Sequence, residues 1–233
     1  MRILAIESSA VTASVAILED DILVAEYTIN HKMTHSQTLL PMIDEIFSMV
    51  QLKPDDVDVI AVSKGPGSFT GLRIGAATGK GIALALDKKM VAVPTLAAMA
   101  YNLYGDSRYI CPVMDARRKH LYSGIYTFDG EKLVTVRDVN LASYEELAEE
   151  LVGLDGQVVL VGDGVDVAGD VLKEQLGDKC ILAPAHIKTQ RAGSVALLAK
   201  QMADNGQYTD ADGLKPDYLR PSQAEREKAQ HES

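Results

Sequence analysis

Only two cysteines occur in the 233 residues, Cys111 and Cys180, and no others stand near them at metal-ligand or framework spacing. Both lie in apolar, strand-like runs, the setting of reduced core thiols in a cytosolic protein. Basic charge is also scarce. The 23 Lys and Arg against 33 Asp and Glu leave a formal net charge of −10, which argues against a chain whose main task is to grip nucleic acid through phosphates. Long apolar runs are missing too. Ile3 to Ile6, ahead of Glu7, is too short for a secretory leader. Nothing approaches the roughly 18 uninterrupted apolar residues of a membrane span. A cytoplasmic protein is the expectation. The remainder is ordinary for a soluble globular chain, 47% apolar and 24% charged, enough for one large domain or two lobes of about 100 residues.

The most informative stretch runs from Gly65 through Pro66, Gly67, Ser68, Phe69, Thr70, Gly71, Leu72, Arg73 and Ile74 to Gly75. It follows an apolar run, Val57 to Val62, that reads as a buried strand, and it opens a helix expected to reach Leu86. Glycines and a proline at such a junction make a tight turn whose backbone N–H groups face an anion or a packed neighbour. Gly71, Gly75, Gly79 and Gly81 each cost a helix interior about 1 kcal/mol against alanine. Gly71, Gly75, Gly79 and Ala83 recur every fourth residue, so they form one smooth stripe where another backbone can come close. That stripe points to helix-on-helix contact more than to catalysis. A Walker phosphate loop does not fit: Gly79-Lys80 is followed by Gly81, and Ile74 stands where the first glycine belongs.

The order of elements repeats. Strands are expected at Arg2–Glu7, Thr12–Leu18 and Ile22–Ile29, then a helix from Thr38 to Val50 whose Leu39, Ile43, Ile46, Phe47 and Val50 share one face. Pro41 confines that helix start, since proline is tolerated only in a first turn. The strand, the glycine helix, a strand Met90–Val93 and a helix from Thr95 follow. After Gly105 the plan recurs: strands Arg108–Met114, His120–Phe128 and Lys132–Val139, a helix from Ser143 to Leu151, strand Val158–Val161, a helix Asp166–Leu176, strand Lys179–Leu182 and a helix Ala192–Ala203. Ser143 and Glu146 have capping-box spacing. The expected fold class is α/β, an actin-like ATPase fold of two lobes, each a mixed sheet flanked by helices. The lobes are placed at 1–106 and 107–220, with a polar, disordered tail at 221–233.

Four segments together resemble the TsaB (YeaZ) family over residues 1 to about 220. They are Ile3 through Ser9, Gly65 through Gly75, Met114-Asp115-Ala116-Arg117-Arg118 with Leu121-Tyr122, and Pro216-Asp217-Tyr218-Leu219-Arg220. The resemblance implies a bacterial, non-catalytic subunit needed to make threonylcarbamoyladenosine beside the tRNA anticodon. It implies TsaD, the paralogous transferase, as partner, the ATPase TsaE as a third component, and a homodimer when the chain is alone. RNA would be met only through the complex. The resemblance also says why this copy is inert. Where TsaD-like sequences carry two metal-binding histidines, this chain has Thr95 and Met99, neither a credible hard-metal ligand. No cofactor is required of it, and a nucleotide at a joint between subunits stays open. The expected interface is Leu39, Ile43, Ile46, Phe47, Gly71, Arg73, Gly75 and Gly79.

Residue chemistry leaves a rival reading, an actin-like small-metabolite kinase or ATPase. Glu7, Ser8 and Ser9 stand at the first phosphate turn of such a fold, and Asp115 and Arg117 at the second, where Arg117, Arg118 and Lys119 replace the usual glycines. Its catalytic carboxylate would be Glu7 or Asp115. A metal at His31 and His35, spaced by four, has only Glu26 nearby, and capping or surface roles suit that pair better. A protease reading has no nucleophile elbow or zinc signature behind it.

Overall fold

The computed structural model describes residues 1–219, so the expected tail and Arg220 lie outside the described residues. Two five-stranded sheets share one plan. The first comprises β1 (Arg2–Glu7), β2 (Ala13–Glu19), β3 (Ile22–Ile29), β4 (Val59–Gly65) and β5 (Lys89–Pro94), in the order β3-β2-β1-β4-β5. The second comprises β6 (Tyr109–Asp115), β7 (His120–Asp129), β8 (Lys132–Ser143), β9 (Val158–Val161) and β10 (Cys180–Leu182), in the order β10-β9-β6-β7-β8. In each, two antiparallel hairpin pairings precede two parallel ones. The repeat expected from element order is present.

Helices α1 (His35–Val50) and α2 (Phe69–Leu86) cover one face of the first sheet. There Leu4, Ile6, Val15, Ile17, Ile60 and Val62 meet Leu39, Ile43, Ile46 and Phe47. The alternate residues Ile3, Ala5, Ala16, Leu18, Val59 and Ala61 point the other way, as the two-residue strand period requires. Short α3 (Thr95–Ala100) lies between the sheets. In the second lobe α4 (Tyr144–Val152) and α5 (Val165–Leu176) cover the second sheet. Ser143 caps α4 through the expected box with Glu146. The four-residue α6 (Ala185–Lys188) gives no periodic signal and was not expected.

Strand ends shift by a few residues, as in β4, expected at Val57–Val62, and β8, which runs to Ser143 beyond the expected Val139; two larger differences have a physical reason. Helix α1 begins at His35, so Pro41 sits inside it rather than in its first turn. An interior proline costs about 3 kcal/mol. Each large apolar side chain buried on the inner face returns about 1.5–3 kcal/mol, and Leu39, Met42, Ile43, Ile46 and Phe47 are all buried. The buried row outweighs the proline, which faces outward.

The second difference concerns the lobes. The sequence places 107–220 in the second lobe, yet α7 (Ala192–Asp204) packs on the first sheet. Its Ala192, Val195, Ala196, Ala199 and Ala203 close the face opposite α1 and α2, which would otherwise stay bare. The chain then bridges Thr209 to Met90, and Asp217 donates its N–H to the Lys64 carbonyl at 2.6 Å. Among the described residues no helix is long and apolar enough to cross a membrane.

Candidate functional site

The two lobes face each other across a cleft of about 350 Å³, lined by Ser9, Ala10 and Val11, by Ser68, Phe69 and Thr70 at the start of α2, and by Asp115, Arg117, Tyr122, Asp163 and Tyr218. Ser8, although in the same turn, is not in the lining. Each wall presents the turn that follows a lobe's first strand.

The first turn is filled by the protein itself. Glu7 is buried, and its carboxylate accepts the Ser9 N–H at 2.6 Å and the Ser63 hydroxyl. Ser8 Oγ donates to the Gly71 carbonyl at 2.9 Å, and the Ser68 N–H donates to the Ser9 carbonyl at 2.6 Å. Ser68 Oγ in turn accepts from the Gly71 N–H, capping α2. The Ser9 hydroxyl is buried without a partner. The Ser9 N–H, which could face a phosphate, is taken by Glu7, and the Ser9 carbonyl faces the start of α2.

The glycine stripe has the same explanation, and it corrects the expected interface. A Cβ at Gly71 would lie 2.1 Å from the Ser8 carbonyl oxygen, one at Gly75 2.1 Å from Ser8 Oγ, and one at Gly79 2.5 Å from a Val62 methyl. The smooth face is therefore pressed on its own lobe. Leu39, Ile43, Ile46 and Phe47 are likewise buried against the sheet. Of the expected interface residues only Arg73 is exposed. Elsewhere on the two helices Leu40, Met49 and Leu84 are 57%, 66% and 70% exposed, and a Cβ at Gly81, one turn before Leu84 on α2, would meet nothing within 4 Å.

Burial, the largest influence on Glu7, raises its carboxyl above the usual 4.5, against hydrogen bonds from Ser63 and Ser9 that lower it. A raised value means the folded state holds this proton more tightly than the unfolded chain does. The stability so linked is fully present below pH 4.5 and is lost as pH rises through the raised value. Glu7→Gln keeps the shape and cannot ionise. In thermal denaturation, the midpoint of Glu7→Gln relative to the native chain should climb as pH rises above 4.5. A difference that is flat with pH would exclude a buried, reluctantly charged Glu7.

The second turn is strained. Arg117, Arg118 and Lys119 have φ of 66°, 57° and 57°, three successive non-glycine residues in the left-handed region. That conformation costs roughly 1–2 kcal/mol per residue. Hydrogen bonds hold it: Asp115 Oδ1 accepts the Arg117 N–H at 2.8 Å, His120 N–H donates to the Arg117 carbonyl, His120 Nδ1 to the Arg118 carbonyl at 2.7 Å, and Tyr144 N–H to the Lys119 carbonyl. Asp115 also pairs with the Arg117 guanidinium at 3.1 Å. Across the turn, Asp163 accepts from Gln190 at 2.8 Å. Burial above all, then the nearby Asp115 charge, pushes the Asp163 carboxyl up.

Other candidates take structural places. Thr95 Oγ1 accepts the Gly65 N–H at 3.1 Å, and Met99 is packed in the core between the lobes. His35 Nε2 bonds the Ala10 carbonyl at 2.7 Å, while His31 lies exposed in the preceding loop. Glu26 pairs with Arg191 and accepts the Gly193 N–H at 2.9 Å near the start of α7. No group of three His, Cys, Asp or Glu side chains among the described residues is placed to hold a metal. Sequence reasoning missed the clasp at the cleft edge. The Arg73 guanidinium lies 3.8 Å over the Phe69 ring, its Nε donates to the Tyr218 hydroxyl at 3.0 Å, and the two rings are 4.7 Å apart. With the Lys64–Asp217 pair at 2.9 Å, it pins the C-terminal segment beside α2. The run of Pro216 through Leu219 was its only sequence signal.

Residues 23–228 match the family described as TsaD: tRNA N6-adenosine threonylcarbamoyltransferase. The chain is 34% identical to the tRNA threonylcarbamoyladenosine biosynthesis protein TsaB of Bacillus subtilis, over 97% of this chain and 96% of that protein. Its fold is similar to that of YeaZ from Pseudomonas aeruginosa, with a TM-score of 0.80, 27% identity, and coverage of 94% of this chain and 99% of the other. A ROK hexokinase from Thermus thermophilus, at 10% identity and a TM-score of 0.50 over 88% of this chain and 100% of the other, shares the actin-like fold alone. Sequence and fold agree that this chain belongs to the TsaB (YeaZ) family.

Proposed function

We propose that this chain is the non-catalytic partner of a TsaD-type transferase in the synthesis of tRNA N6-threonylcarbamoyladenosine. The observation that carries the reading is the filled first turn: the Ser8 hydroxyl and the Ser9 carbonyl bond the start of α2, and the Glu7 carboxylate takes the Ser9 N–H and the Ser63 hydroxyl. A kinase of this fold needs that turn free for phosphate and a carboxylate near the transferred group. Glu7 is sealed beneath Ser63 and Ser9, and Asp115 is committed to Arg117. The partner seats on the exposed face of α2 around Gly81 and Leu84. In the absence of TsaD the same face pairs with a second copy, and TsaE joins the assembled pair in the cytoplasm.

Light scattering on size-exclusion fractions tests this, with the chain alone and mixed with TsaD. A mixed complex is expected, with threonylcarbamoyl transfer to tRNA lost when this chain is left out. Transfer that proceeds unchanged without it rejects the reading. Micromolar ATP–magnesium binding to the isolated chain by calorimetry would favour the kinase instead.

A further inference from the structure

We propose that the turn Arg117-Arg118-Lys119 is a rigid phosphate-contacting tip that meets the RNA backbone in the assembled complex, a proposal that rests on the functional reading above. Three successive basic residues in the left-handed region are an expensive way to close a hairpin that glycine or asparagine would close without strain. The strain persists because hydrogen bonds fix all three carbonyls, at Arg117, Arg118 and Lys119. The consequence is a backbone that cannot relax and three side chains that point away from it, all exposed.

Arg117 is tied to Asp115, but Arg118 and Lys119 have no ion-pair partner among the described residues. They are two free cations side by side in a chain of net charge −10. Unpaired cations held on a preorganised backbone suit phosphate oxygens, which arginine meets as a planar fork and lysine as a point charge. Position favours RNA over an acidic protein. Arg117 and the first residues of α2, Ser68 to Thr70, line the same cleft. A partner seated around Gly81 and Leu84 sits about 16–24 Å along α2 from that end, a span that a nucleic acid held by the partner bridges more readily than a protein side chain does. Two contacts add to a grip supplied mainly by the partner, which accommodates the acidic balance of this chain.

Two double variants separate charge from backbone. Arg118→Gly with Lys119→Gly removes both cations and the strain at those two positions, leaving that at Arg117; Arg118→Gln with Lys119→Gln removes the cations and keeps all of the strain. Each is measured as the complex with TsaD, binding an unmodified tRNA transcript over a salt series. Both should lose about tenfold in affinity at 50 mM salt, and the slope of log affinity against log salt should shrink by about two. Only the glycine pair should also raise the melting midpoint, by about 2–4 °C.

Unchanged affinity and slope in both variants would overturn the proposal. So would weaker binding to TsaD without RNA, since the tip would then be a protein contact. Failure of the unmodified chain to join TsaD rejects the functional reading instead. The same variants then test the tip on the chain alone at low salt, where equal weak binding by all three overturns it.

Discussion

Alanine at Gly71 is expected to unfold the first lobe. The added carbon would stand 2.1 Å from the Ser8 carbonyl oxygen, a backbone atom of a turn whose neighbours Glu7 and Ser9 are themselves buried and hydrogen-bonded. Neither the turn nor α2 can retreat without losing the Ser8–Gly71 and Ser68–Ser9 bonds. The cost should exceed about 4 kcal/mol, a large part of the roughly 5–15 kcal/mol that holds a domain folded. The melting midpoint should fall by at least about 10 °C, or the protein should become insoluble. Gly79→Ala is milder, because its neighbours are a Val62 methyl at 2.5 Å and a Met90 methyl at 3.2 Å, ends of side chains that shift at about 1–3 kcal/mol. Gly81→Ala, with open space around it, should gain about 1 kcal/mol of helix propensity. A Gly71→Ala protein that melts with the native chain would refute the packing described for α2.

Aspartate at Leu84 is expected to leave the fold intact and break the complex with TsaD. Leu84 is 70% exposed and Gly81 lies one turn before it on the same outward face. Surface changes away from buried features usually move stability by no more than about 0.5 kcal/mol. A charge forced unpaired into the centre of an interface costs far more, about 2–5 kcal/mol, so affinity should fall at least thirtyfold. Gly81→Leu, which adds bulk without charge, should have the same sign. Calorimetric titration of TsaD into each variant gives the answer; native affinity in both would move the contact to another face.

The places of the strands along the chain and the two-fold plan were legible because β1, β4, β6 and β9 are largely buried and read as apolar runs. Helix α2 was legible as a stripe, but a stripe states only which residues share a face. Whether Gly71, Gly75 and Gly79 meet another protein or their own lobe is decided by Ser8, in the turn after β1 and more than sixty residues from Gly71 and Gly75, and by Val62 of β4 beneath Gly79. The same limit hid the lobe to which α7 belongs: its apolar row fits any bare sheet face of the right width. At the site, Glu7, Ser8, Ser9, Asp115 and Arg117 were singled out, and the structure places Ser9, Asp115 and Arg117 on the cleft but Glu7 beneath it. The left-handed turn could not be read, because Arg and Lys have no preference for that region and only the hydrogen bonds around them impose it. Pro41 misled for a local reason, since its cost is visible in sequence while the buried row that offsets it depends on the sheet beneath.

The return of α7 to the first sheet has a consequence for synthesis on the ribosome. Strands β1 to β5 have all emerged by Pro94, but one face of their sheet waits for Ala192–Asp204. At about 5–20 residues per second, that delay lasts roughly 5–20 s. Through that interval Ile3, Ala5, Val59, Ala61, Val91 and Val93 have only Ala98 of the short α3 as helical cover, and the nascent chain offers an adhesive surface to chaperones or to other nascent chains. The lobe that begins first is completed last.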